Sequence, residues 1–170
     1  MQVLVEDLLE VSRLDAGRAE TMMGPVSVDA SMHSLMTTLD GSGTLAGHPV
    51  DITYGAGATR IVTDQRRFER IITNLLVNAV KHGADPIEVE TRPDAVIVRD
   101  SGPGYPPDIV ATGPTRFVSA GGGGMGLGLV IAQGQARLLG MTIEFANGPN
   151  GGAHTTVRFP ADPAPEAPQD

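Results

Sequence analysis

The chain has 170 residues, no cysteine, no tryptophan and a formal net charge of −8. That length suits one domain with its own core and is too short for two ordinary ones. The acidic balance argues against a general binder of nucleic acids or anionic membranes, and the missing cysteines exclude disulfides, thiolate metal sites and cysteine nucleophiles.

Residues 1–15 (MQVLVEDLLEVSRLD) read as an amphipathic helix with Leu4, Leu8, Val11 and Leu14 or their neighbours facing inward. Gly17 is placed to cap its C-terminus. Such a helix is either one half of a helical pair or an element docked on its own domain. Ser27 can cap a second helix, in which Met32, Leu35, Met36 and Leu39 keep the helical period up to Asp40-Gly41. Alternating runs at 50–54, 60–63, 87–91, 95–100, 141–146 and 154–160 look like strands of an antiparallel sheet with one buried face. Arg92-Pro93-Asp94 joins two of them as a hairpin. A third helix carries Phe68, Ile71, Ile72, Leu75, Leu76 and Ala79 as an apolar stripe, and a fourth runs from about Leu127 to Leu139. Helices on one face of such a sheet define a two-layer α+β architecture. The last ten residues, ADPAPEAPQD, are too proline-rich and acidic to pack and are expected to be a disordered tail. With no apolar run of bilayer length and no leader, a cytoplasmic location is expected.

Three segments carry chemistry. Opposite the stripe of the third helix, Asn74, Asn78 and Lys81 share a polar face. The amide oxygen of Asn78 is a hard ligand suited to Mg²⁺, and Lys81 offers a mobile charge to a phosphate. Alone, this face is better explained as a solvated surface. Asp100-Ser-Gly-Pro-Gly104 follows a strand. Its aspartate can accept a hydrogen bond from an exocyclic amine, and Gly102 and Gly104 let the backbone approach a flat ring. An ordinary turn has the same composition. Gly121–Gly128 holds six glycines in eight positions and runs into a helix, which makes an anion site. It is no P-loop, because Leu-Gly-Leu follows Gly126 where Gly-Lys-Ser/Thr would be needed. A dinucleotide fingerprint matches at Gly121, Gly123 and Gly126 but lacks a βαβ frame. The four histidines, His33, His48, His82 and His154, show no metal-ligand spacing.

In this order the segments resemble the ATP-binding catalytic domain of sensor histidine kinases, of the GHKL (Bergerat-fold) superfamily. NLLVNAVKHG is similar to the N box, DSGPG to the G1 box, Arg116-Phe117 to a reduced F box, and GMGLGL to the G2 box. GGAHTTVRFP is similar to the terminal glycine motif and last strand, and VEDLLEVSRLDAG to the end of a dimerisation helix. The resemblance implies a mixed, mostly antiparallel sheet with helices on one face. It divides the chain into a dimerisation-type helix or linker (1–17), an ATP-binding domain (18–160) and a tail (161–170). By that likeness, Asn78 ligates Mg²⁺ and Asp100 reads the adenine amine. Lys81, Asn74 and His82 contact phosphates or ribose, Gly102 and Gly104 line the base pocket, and Gly124, Gly126, Leu127 and Gly128 belong to the lid over the phosphates.

ATP-hydrolysing members carry a glutamate where Asn74 stands, so the resemblance favours phosphoryl transfer to a protein. No acceptor-histidine motif is present, Asp108 to Gly121 is short for a lid helix and F box, and Ala153 replaces the usual threonine. Three functions stay open. The first is a kinase module acting on a histidine-bearing dimerisation protein in trans, with a response regulator downstream and possible recruitment to a membrane-bound partner. The second is a nucleotide-binding regulatory module or degenerate remnant. The third is an anti-sigma-type serine kinase, which the first helix disfavours.

Overall fold

The computed structural model describes residues 2–115 and 126–161. Helix α1 (Gln2–Asp15) ends at Gly17, which takes a left-handed φ of 64° while the Arg18 N–H donates to the Arg13 carbonyl at 3.2 Å. Strands β1 (Gly24–Ser27) and β3 (Arg60–Thr63) then pair as an antiparallel ribbon apart from the main sheet. β1 escaped the sequence pattern because four residues beginning Gly-Pro show too little alternation. Residues 60–63, expected in the main sheet, find their partner there instead. Ser27 ends the ribbon and stands at the N-cap of α2 (Val28–Ser42), but its side chain makes no capping hydrogen bond. α2 runs slightly past the expected stop and closes on Gly43, whose φ is 70°.

The main sheet has the order β2 (Val50–Tyr54), β4 (Ile87–Thr91), β5 (Ala95–Arg99), β7 (Ala153–Arg158), β6 (Thr142–Asn147). It is antiparallel except for the parallel pair β2–β4, a departure from the all-antiparallel reading of the strand runs. The departure follows from α3 (Gln65–His82), which lies between those strands in the chain and makes the crossover a parallel pair requires. Arg92–Ala95 closes the expected hairpin between β4 and β5. Two further helices follow, α4 (Pro107–Thr112) and α5 (Leu127–Leu138).

α3 is the spine of the core. The Asp64 carboxylate caps it by accepting the Arg67 N–H at 3.2 Å. Phe68, Ile71, Ile72 and Leu76 are fully buried with Val89, Val96, Val98 and Val157 of the sheet. Phe68 meets Phe159 edge-on, ring centroids 6.0 Å apart. The sheet's other face carries ion pairs instead: Glu90 accepts Arg92 and Arg99, and Arg158 reaches Glu144 and Asp94. Arg92, Arg99, Arg158 and Glu144 of these pairs line a groove of about 320 Å³ together with His154.

α1 docks on α5. Val11 is buried with Leu127 and Ile131, and Leu14 packs over Gly134. Leu8, expected inward, is exposed beside Val5 and Leu9, because Val11 and Leu14 fill the contact. Polar ties hold the same joint: Arg67 donates to Gln135 at 2.9 Å, Gln135 donates to Glu10, and Arg70 pairs with Asp7 and Glu10. No helix among the described residues is long and apolar enough to cross a membrane.

Candidate functional site

The polar face of α3 points away from the core stripe and splits by depth. Asn74 and Asn78 are half-buried, while Lys81 and His82 are exposed in the last turn, where positive charge complements the helix dipole. The Nδ2 of Asn74 is buried and has no hydrogen-bond partner among the described residues. Its Oδ1 faces Gly128 of α5: a Cβ built on that glycine would stand 3.9 Å away. A buried amide donor left unmet costs stability, so this Nδ2 calls for an acceptor beyond the described residues.

At the other end of α3, glycines pack around Asp100. The Oδ1 of Asp100 accepts the N–H groups of Gly102 at 2.8 Å and Ala153 at 3.2 Å, while its own N–H donates to the Ala153 carbonyl at 3.1 Å. A Cβ on Gly83 would lie 2.4 Å from the Asp100 Cγ, and one on Gly102 would lie 2.6 Å from the Gly83 Cα. Gly152, with φ of 78°, passes so near that a Cβ would stand 2.1 Å from the Asp100 carbonyl. Ser101 N–H donates to Ala84 O at 2.9 Å and ties the loop to the residues just past α3. Among the described residues, both hydrogen bonds to the carboxylate, one from Gly102 of the loop and one from Ala153 of β7, go to Oδ1. Oδ2 therefore keeps the acceptor capacity that reading an amine needs.

The far end of that loop rests on β6 and β7. Tyr105 is buried, its hydroxyl 2.6 Å from the Thr155 Oγ1, and burial pushes its pKa up to about 12. Gly104 takes a φ of 82° against the Asn147 side chain. Gly83, Gly152, Ala153, Tyr105, Asn147 and Thr155 were not among the residues the motifs nominate. Gly83, the Gly151-Gly152 doublet, Ala153 and Thr155 lay inside the quoted motifs; Tyr105 and Asn147 lay outside them, and the contact between these two spans 42 residues.

Gly126 stands at the N-cap of α5 with a left-handed φ of 64°, and having no side chain it cannot itself cap the first-turn N–H groups. The Leu127 side chain is buried under α1 with Val11 and Ile131, which leaves only its backbone to face a ligand. Gly124, Arg116 and Phe117 lie outside the described residues. Asn74 and Asp100 are thus brought to the two ends of one stretch of α3. They flank Asn78, with about 13 Å of helix rise between Asn74 and Gly83.

Residues 63–163 match the family described as histidine kinase-, DNA gyrase B- and HSP90-like ATPase. The chain is 38% identical over 151 residues to the sensor protein CseC of Streptomyces coelicolor, covering 86% of this chain and 28% of CseC. It is 39% identical over 176 residues to the signal transduction histidine-protein kinase AfsQ2 of the same organism, covering 98% of this chain and 32% of AfsQ2. Among solved structures, full-length ShkA in complex with AMPPNP superposes with a TM-score of 0.75 at 26% identity, over 93% of this chain and 35% of ShkA. The chain spans about a third of the length of the curated relatives it matches.

Proposed function

Because the chain belongs to the histidine kinase-, DNA gyrase B- and HSP90-like ATPase family, we propose that it is the ATP-binding catalytic module of a two-component sensor kinase. It transfers the γ-phosphate of ATP to a histidine on a dimerisation domain held by another protein or another part of the protein. The observation that carries the reading is the gathering of Asp100, the Asn74–Asn78 face and the glycine-led start of α5 along one side of α3.

Asp100 is held by two N–H groups and reads the exocyclic amine of adenine through Oδ2. Gly102 and Gly104 border the ring, and Lys81 and His82 lie on the side of the ribose and phosphates. The Asn74 amide, without a partner among the described residues, and the first-turn N–H groups of Gly126–Gly128 supply donors to phosphate oxygens. Asn78 fits Mg²⁺ as a neutral oxygen ligand, and the ion, when bound, offsets the polyphosphate charge in a chain of net charge −8.

Asn74 sets the reaction type. A neutral amide takes no proton from water, so nothing at that position activates hydrolysis. An imidazole nitrogen attacks with its own lone pair: the N–P bond forms, the bond to the β–γ bridging oxygen breaks, and ADP leaves. A response regulator then receives the phosphoryl group. Attachment to a membrane-bound partner belongs to the same reading.

The test mixes the chain with Mg²⁺, γ-labelled ATP and a histidine-bearing helical hairpin from a matching kinase. The expected product is acid-labile, base-stable label on the hairpin. Bound nucleotide with no label on any partner histidine would reduce the function to nucleotide binding alone.

A further inference from the structure

We propose that Asn147 is a positioning residue of the nucleotide site: it sets where the Asp100–Tyr105 loop presents its carboxylate. This rests on the adenine-nucleotide reading above. Asn147 is the last residue of β6 and lies in none of the four nucleotide-site boxes. Its Oδ1 accepts the Tyr105 N–H at 2.7 Å, and its Nδ2 donates to the Tyr105 carbonyl at 2.9 Å. One amide therefore takes both backbone groups of one loop residue, as a paired strand would. Gly104 lies flat on the same amide, since a Cβ there would stand 2.6 Å from Oδ1.

The clamp has a firm base. Two residues before Asn147, Phe145 meets the Tyr105 ring edge-on with centroids 5.4 Å apart, and the Tyr105 hydroxyl is tied to Thr155. The near end of the loop is tied through Asp100 to Ala153 on β7. With both ends held, the carboxylate has one place to stand. Only an amide offers a donor and an acceptor side by side at this spacing. Asn147 is itself exposed, so replacing it leaves the core packing untouched.

The test is calorimetric titration of the full chain with Mg·ATP, and with ADP in the absence of metal. Because Asn147 acts through Asp100, Asn147→Ala should weaken both ligands by the same factor, about tenfold for two lost hydrogen bonds. In an Asp100→Asn background it should cause no further loss. Asn147→Asp keeps the acceptor and loses the donor. It should fall between wild type and alanine, and it reads the same comparison if the alanine variant does not fold. A purely structural role would lower the thermal midpoint without this matched loss or this coupling. Binding by Asn147→Ala equal to wild type, or a full additional loss on top of Asp100→Asn, overturns the proposal. A wild-type chain that binds neither nucleotide overturns the adenine-nucleotide reading itself.

Discussion

Replacing Gly83 by alanine puts one methyl group into the tightest contact of the site. Its Cβ would stand 2.4 Å from the Asp100 Cγ, 2.6 Å from Oδ2 and 2.6 Å from the Ala79 carbonyl oxygen, against about 3.5–4.0 Å for comfortable carbon contacts. The backbone is no obstacle, since φ −90° and ψ −158° suit alanine. The strain is therefore local. The last turn of α3 is held by the Gly83 N–H donating to Ala79 at 2.9 Å, so the Asp100 side chain must yield. It then gives up the bonds from Gly102 and Ala153, at about 1 kcal/mol each. Overpacking adds about 1–3 kcal/mol. Because moving Asp100 relieves part of the clash, the net destabilisation is about 2–4 kcal/mol, readable by urea unfolding. Nucleotide affinity loses a hydrogen bond to a charged group, about 1.5–3 kcal/mol, or roughly ten- to a hundredfold in Kd. A folded Gly83→Ala chain that binds ATP within a factor of about two of wild type would refute the placing of Asp100.

Gly41→Ala is the matching control: the residue lies in α2 with nothing within 4 Å of a built Cβ. It should stabilise by about 0.5–1 kcal/mol in urea unfolding and leave nucleotide binding unchanged. Gln135→Leu severs the buried link between Arg67 and Glu10. It should cost about 1–3 kcal/mol and speed hydrogen exchange along α1, as the joint between α1 and α5 loosens. Burial first, then Arg99 and Arg92, hold the pKa of His154 below its ordinary 6.5. The folded chain thus binds that proton less readily than the unfolded chain. Stability should be full above pH 6.5 and fall as pH drops through the folded value; His154→Gln should flatten that slope in unfolding measured across pH.

What the sequence disclosed depends on range. α3 was legible because its stripe repeats every three or four residues and its ends carry their own signals. The hairpin at Arg92–Ala95 was legible for the same local reason. Strand direction was not: alternation in residues 50–54 reports a pleated segment and says nothing of the parallel partner at 87–91. Nor could it assign 60–63 to a ribbon with Gly24–Ser27. At the site, Asn74, Asn78 and Asp100 could be named from motifs, yet the glycines that hold Asp100 show their purpose only in three dimensions. Leu127 shows the reverse. Its place in a glycine motif suggested a ligand contact, and its side chain packs under α1.

The central claim is that Asp100, fixed by Gly102 and Ala153, reads an adenine amine. Asp100→Asn is nearly isosteric and keeps an oxygen for both N–H groups, but it turns Oδ2 into a donor that faces the amine. Titration calorimetry with Mg·ATP on the two proteins tests this directly. The account predicts saturable one-to-one binding by wild type and a loss of at least about tenfold in the variant, at an unchanged thermal midpoint. Equal binding by both proteins, or none by wild type, would contradict it.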